Sequence, residues 1–455
     1  MTETSSWTPA SDAVEACLAN IETLDATLKA TITVVADDAR QRARHADEAS
    51  AREDWLGVLH GMPIAIKDNI DTAGVRTTSG STFFADHVPE HDAPVVERLL
   101  ASGAIPVAKL NLSEFAIGAT SQNPHYGGVR NPWDTSRIPG GSSGGSGVAV
   151  AAEMAVAALG TDTSGSVRIP AALTGVSGMR PTTGRVPNRR STPASLNFDA
   201  IGPMAYSVVD VARVLFVIQG YDPADRSSAD RPADDLLADL HRGLRGVRIG
   251  VPTSFFFEGL GPGIEAATRE ALDVLSDLGA QLVDIHVDGA EVASDMMRPI
   301  LHADMAAFHR DRLEAAPESF GEDVYRRIQL GVGVTGAEYS ACADWRTDFI
   351  RRVDRVFDDV DLVASPMTPV VAPRAEGAEM IETTKELSRF AMPWSMANLP
   401  SLSVPCGFDA QGLPLGLQLA GRQWNDALVL RSGVAYQQAT QWHRARPSAR
   451  PSLER

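Results

Sequence analysis

Between Pro139 and Pro170 two Gly/Ser loops bracket one apolar segment, and no other stretch of the 455 residues constrains the fold so strongly. The stretch begins Pro-Gly-Gly-Ser-Ser-Gly-Gly-Ser-Gly and ends Gly-Thr-Asp-Thr-Ser-Gly-Ser-Val-Arg-Ile-Pro, with Val148 to Leu159 between the loops. Glycine tolerates positive φ and close backbone approach. A Gly/Ser run on its own reads as a flexible linker, but a linker does not run straight into Val-Ala-Val-Ala-Ala. The apolar segment is expected to bury itself, order both loops and set their separation.

A second signal lies upstream. The chain holds four lysines (Lys29, Lys67, Lys109, Lys385) among 41 basic residues. Lys67 closes Gly61-Met-Pro-Ile-Ala-Ile-Lys67, a short apolar strand that delivers an amine to its end. Lysine loses its proton when desolvated, whereas arginine effectively keeps it. The plainer alternative is a surface lysine paired with Asp68 or Asp71.

With both loops and Lys67 in view, the chain resembles the amidase signature family. That family's hallmark is a Gly-Gly-Ser-Ser-Gly-Gly-Ser loop followed by a Gly-Thr-Asp-Thr-x-Gly-Ser loop. Further segments fall in family order: 61–69, Lys109 to Phe115, Asn131-Pro-Trp133, Gly178 to Gly184, Ile201-Gly-Pro-Met204 and Asn398 to Gly421. The region 221–360 carries little of this signal. By position, the resemblance implies Ser166 as nucleophile, Ser142 after a cis peptide bond as proton relay, and Lys67 as base. Ser143 is then a supporting hydrogen-bond partner, and the backbone N–H groups of Thr163, Ser164, Gly165 and Ser166 form the oxyanion hole. A serine hydroxyl attacks an amide only if its proton is removed, and a second hydroxyl both accepts and donates, so it can carry that proton to a neutral amine. Ser164 departs from the glycine common in the family and is expected to shape the acyl pocket. Arg168 and Asp162 read as structural.

Competing chemistries fit less well. Gly140-x-Ser142-x-Gly144 and Gly141-x-Ser143-x-Gly145 match a nucleophile elbow, but the preceding Asn131 to Pro139 makes a poor strand. The histidines His241, His286, His302, His309 and His443 sit in no recognisable catalytic setting. No Gly-Lys-Ser/Thr follows the glycines, as a phosphate loop requires. Cys17, Cys342 and Cys406 are too scattered for a zinc cage, so neither a cofactor nor a metal is expected.

The remaining expectations follow from length, charge and pattern. Three cysteines suit a reducing compartment, and the first residues lack the pattern of a signal peptide, which together point to the cytoplasm. A net charge of −17 disfavours nucleic acid, and no membrane span is apparent. A homodimer is the oligomeric state left open. Helices are expected over 8–50, 93–102 and 264–278, strands over 105–108 and 281–287, and a surface loop over 222–232. The resemblance implies one α/β/α domain over 1–455 around a mixed β-sheet, with 8–50 as an N-terminal helical segment. The function read from it is hydrolysis of a small carboxylic amide through a Ser166 acyl-enzyme. The alternative is the A subunit of a glutamyl-tRNA(Gln)/aspartyl-tRNA(Asn) amidotransferase, which in the family releases ammonia from glutamine. The 221–360 region and the Asn398-Leu-Pro-Ser-Leu run depart from the pattern expected of that amidotransferase component and favour the free-standing enzyme. The pocket is expected to be lined by 117–126, 190–200 and 300–345.

Overall fold

The computed structural model describes residues 9–377 and 379–447; Met1 to Thr8, where a signal peptide would lie, are outside the described residues. The strands, in chain order, are β1 (Thr31–Val34), β2 (Pro63–Lys67), β3 (Ile105–Leu110), β4 (Gln122–Asn123), β5 (Gly127–Gly128), β6 (Ala157–Asp162) and β7 (Ser177–Arg180). They continue with β8 (Ala200–Ala205), β9 (Arg248–Pro252), β10 (Gln281–Ile285), β11 (Leu362–Pro366), β12 (Ser401–Phe408) and β13 (Pro414–Gly421). Eleven form one sheet in the order β1-β3-β2-β6-β8-β7-β12-β13-β11-β9-β10, and β4 and β5 form a separate ribbon. Pairs β2/β3, β2/β6, β9/β10 and β9/β11 are parallel and the rest antiparallel, so the sheet is mixed as expected.

Alternation along β2 shows how the layers assemble. Ile64 and Ile66 belong to a core that contains Val95, Val96 and Leu99 of the helix Pro94–Ala101 and much of the helix Val208–Ile218. Ala65 points the other way, into a core with the helices Ala10–Leu28, Ala36–Ala51 and Gly144–Ala151. The sheet is therefore covered on both faces, and β2, β3 and β6 are buried along their whole lengths. Such strands read as continuous apolar runs rather than as alternating ones.

The expected helix over 8–50 is interrupted. The helix Ala10–Leu28 ends at Lys29 in the left-handed region (φ 54°), and Asp25 accepts hydrogen bonds from Ala30 N and Thr31 N. The β-branched run Thr31-Ile-Thr-Val34 then pairs antiparallel with β3, and helix resumes at Ala36. The helices Pro94–Ala101 and Ile264–Asp277 and the strands β3 and β10 lie where the pattern places them. The apolar segment between the two Gly/Ser loops splits into the helix Gly144–Ala151 and the strand β6. In the region of weak family signal, the helices Ala293–Ala315, Glu322–Val332 and Gly336–Asp359 gather with Phe256, Phe390 and Trp394 into a further core. No described helix is long and apolar enough to cross a membrane.

Candidate active site

Because β2 and β6 are parallel, their C-terminal ends lie on the same side, and Ile66 is in register with Leu159. In such sheets the carboxyl ends of the strands are where ligands gather. Lys67 is fully buried there, and its Nζ donates to Ser142 Oγ and to Thr161 Oγ1, each at 2.7 Å. This excludes the surface pairing with Asp68 or Asp71. Asp68 faces Lys109 instead, at 3.7 Å.

Ser142 sits on the loop that enters the helix Gly144–Ala151, and the Gly141–Ser142 peptide bond is cis. The helix start packs so closely that a Cβ on Gly145 would meet Asn111 O at 2.3 Å and Ala30 O at 2.6 Å. Ser143 bridges to the other loop: its Oγ donates to Thr161 O and accepts from Thr161 N, both at 3.2 Å, while its own N–H donates to Ser166 O at 3.2 Å. Ser142, Ser143 and Lys67 were legible in the sequence, but Thr161 was missed, although it sits inside the second motif and carries a hydroxyl of its own. Among the described residues no hydrogen bond joins Ser142 Oγ to Ser166 Oγ. Hydrogen bonds of this kind often form only when substrate is bound.

The second loop is held by Asp162. Its carboxylate accepts from Gly165 N (2.8 Å), Val167 N (3.1 Å) and the Nε and Nη2 of Arg168 (3.0 and 2.9 Å). Burial opposes its ionisation, but Arg168, Arg180 and the backbone donors together hold the carboxyl well below the usual range. Arg168 also donates to Gln418 Oε1, Ala391 O and Ser395 Oγ and is fully buried, so its donors are all engaged within the protein. It braces the loop, as the sequence suggested, and is not placed to hold a substrate carboxylate. Of the four N–H groups expected to bind an oxyanion, that of Gly165 (φ 118°) is donated to Asp162 Oδ1 at 2.8 Å.

Ser166 is 5% exposed and opens onto a cavity of about 100 Å³ that Thr163 and Ser164 also line. Ala116 and Gly118, Ala194, and Leu301, His302 and Met305 supply walls close to the three expected segments. The helix Met380–Ser388, which no motif implicated, adds Ile381, Thr384, Lys385 and Ser388. His302 hydrogen-bonds neither Ser166 nor a carboxylate among the described residues, so the Ser-His-Asp arrangement is not assembled here.

Charge in this region is set by burial. Desolvation lowers Lys67 to about 7, with Asp199 and Asp162 opposing the shift. Asp199, also missed from sequence, is raised to about 6 by burial while Thr163 Oγ1 donates to it at 2.5 Å and Ala194 N and Ser195 N donate to its other oxygen. An amine that loses its proton as the pH passes about 7, with a hydroxyl on it and a second serine on the adjoining loop, can take up a proton released in acyl transfer.

Comparisons with known proteins agree on the class of chemistry. The sequence profile of the Amidase family matches residues 12–430. The glutamyl-tRNA(Gln) amidotransferase A subunit of Chloroflexus aggregans is 43% identical over 457 aligned residues, covering 95% of this chain and 93% of that one. Among solved structures, the corresponding A subunit of Thermotoga maritima has a TM-score of 0.80 at 32% identity, covering 94% of this chain and 91% of that chain. A chain from a vestigial protein complex bearing on the origins of an s-triazine catabolic enzyme has a TM-score of 0.90 at 34% identity, with 95% of each chain covered. These findings correct two expectations. Relatives that carry the amidotransferase name align across the 221–360 region and the Asn398 run, so neither segment separates a free-standing enzyme from an amidotransferase component. Relatives whose name includes a tRNA also remove the exclusion of nucleic acid drawn from net charge, which averages over the whole surface and says nothing of an assembly.

Proposed function

The chain belongs to the amidase family, and from that premise we propose that it hydrolyses a carboxylic amide through an acyl-enzyme at Ser166, releasing ammonia or an amine. Ser166 Oγ attacks the carbonyl carbon as its proton passes through Ser142 to Lys67. The carbonyl π electrons move onto oxygen, where the N–H groups of Thr163, Ser164 and Ser166 stabilise them; one such donor is worth about 3 to 4 kcal/mol in the transition state. Collapse breaks the C–N bond and the proton returns through Ser142 to the leaving nitrogen. Water then repeats the sequence on the ester. The observation that supports this best is the 2.7 Å contact between Lys67 Nζ and Ser142 Oγ, made by a buried amine with hydroxyl partners and no ion pair among the described residues.

A more specific reading is that the ammonia serves a partner, as in a glutamyl-tRNA(Gln) amidotransferase. It is favoured by the 43% identity over nearly the full length of both chains and stands ahead of the free-standing enzyme on the comparisons. Purified full chain assayed for ammonia from glutamine and from plain amides tests both, with Ser166→Ala as control. Glutamine turnover that appears only with the other amidotransferase components and glutamyl-tRNA supports the amidotransferase role. Plain-amide turnover by the chain alone supports the free-standing enzyme, and no turnover under either condition refutes the acyl-enzyme reading.

A further inference from the structure

The cavity that holds Ser166 has an uneven charge. Arg298 and His302 stand four residues apart on the helix Ala293–Ala315, so they share one face of it. Arg327 comes from the helix Glu322–Val332 and Lys385 from the helix Met380–Ser388. Among the described residues lining the cavity, none is acidic. Carboxylates do touch these cations: Asp295 lies 2.6 Å from Arg298, Glu382 lies 2.7 Å from Lys385, and Asp323 lies 3.1 Å from Arg327. Asp295 and Glu382 are 68% and 65% exposed, so water screens both pairs. Arg327 is held rigidly, since its Nη2 also donates to Met380 O and Thr384 Oγ1, each at 3.0 Å.

From this lining we infer that, within the amide-hydrolase reading above and in place of the glutamine that the amidotransferase reading requires, the substrate is a short amide that carries a carboxylate and no ammonium group. A carboxylate in the cavity would meet Arg298, Lys385 and the remaining Nη1 of Arg327 with no acidic side chain in the lining, Asp323 standing behind Gly118 on the Nε of Arg327. An ammonium would meet the same three cations with no carboxylate of the lining to receive it, and like charges brought together in a confined site are strongly disfavoured. Free glutamine carries both groups. It is therefore expected to be a poorer substrate than its ammonium-free counterpart, even though many relatives are named for an amidotransferase. The same surroundings act on His302. Burial first, and then Arg327, Arg298 and Lys385, lower it to about 4, so it enters the cavity as a neutral group.

Three amides of matched length test the inference: glutaramate, which carries only the carboxylate; glutamine, which adds the ammonium; and pentanamide, which carries neither. With the full-length chain, kcat/KM for glutaramate should exceed that for each of the others by at least about tenfold, the scale of one favourable charge contact. Lys385→Gln and Arg298→Gln, both at partly exposed positions, should raise KM for glutaramate and narrow its advantage over pentanamide. Glutarate should slow labelling of Ser166 by a neutral fluorophosphonate, and pentylamine should not. Equal or better turnover of glutamine or pentanamide overturns the inference while leaving the amide-hydrolase reading intact, as does equal protection by pentylamine. Failure to label Ser166 and to hydrolyse any of the three, with or without the other amidotransferase components and glutamyl-tRNA, overturns both.

Discussion

Lys67 and Lys109 end up as buried neighbours on adjacent parallel strands, yet they occupy opposite faces of the sheet. Ile66, not Lys67, is in register with Lys109. Since side chains alternate along a strand, the two amines point apart. Lys109 Nζ donates to Ile70 O at 2.5 Å and Thr77 Oγ1 at 2.7 Å and faces Asp68. Burial lowers it to about 8, against the pull of Asp68 and Asp71. Lys67 faces two hydroxyls and is lowered to about 7. The same residue type thus yields an ion-pair anchor on one face and an amine free to exchange a proton on the other.

The largest effect expected from breaking this contrast lies on the Lys67 face. Ser166→Ala should cost on the order of 10⁶-fold in turnover, the scale for losing a nucleophile that acts in a concerted set, with the fold intact by circular dichroism. Lys67→Ala should cost about 10² to 10⁴-fold, the range of acid–base catalysis, and Lys67→Arg should not rescue it because a guanidinium keeps its proton. A Lys67→Ala variant with the wild-type rate would falsify the relay.

The pH profile sharpens the same contrast. Lys67 must be neutral to accept a proton, so log kcat/KM should rise with unit slope as pH approaches about 7 and level off above it. A limb that survives unchanged in a partly active Lys67 variant would assign the ionisation to another group, with Asp199, raised to about 6, the first to examine.

On the other face the effect should fall on stability. Lys109→Ala leaves Asp68 buried, with Oδ1 holding no hydrogen bond among the described residues. Removing one member of a buried pair costs about 3 to 5 kcal/mol. Chemical denaturation should show that loss, while turnover of the folded fraction falls far less than in Lys67→Ala. Equal losses of turnover in the two variants would erase the distinction. The smallest change is expected from Ser164→Gly, which removes a side chain from the cavity but keeps the backbone donor. Turnover should stay within about tenfold of wild type, less than one oxyanion donor contributes, and longer acyl groups should be accepted when an amide series is compared.

The two Gly/Ser loops and the lysine at the end of β2 were legible because their signals are local: residues tolerant of tight turns, an apolar run, and one amine where arginine would not serve. The strand Thr31–Val34 was missed since helix flanks it on both sides, and only pairing with β3 makes it a strand. Thr161 and Asp199 were missed for a related reason. Thr161 lies inside the second motif and Asp199 outside every motif, but only packing across the fold turns either toward Lys67, over 94 residues in the first case.

What the sequence determined by itself was the inventory: which residues could turn sharply, which would be buried, and which could carry a nucleophile and a base. The tertiary structure decided their assignments. Parallel pairing brought the ends of β2 and β6 together, the alternation of side chains sent Lys67 rather than Lys109 toward the serines, and packing turned the Gly165 N–H onto Asp162. It also brought three helices with little family signature between them around Ser166 and gave the cavity its cations. Register and packing depend on contacts between residues far apart in the chain, so they are specified by the whole molecule and not by any motif within it.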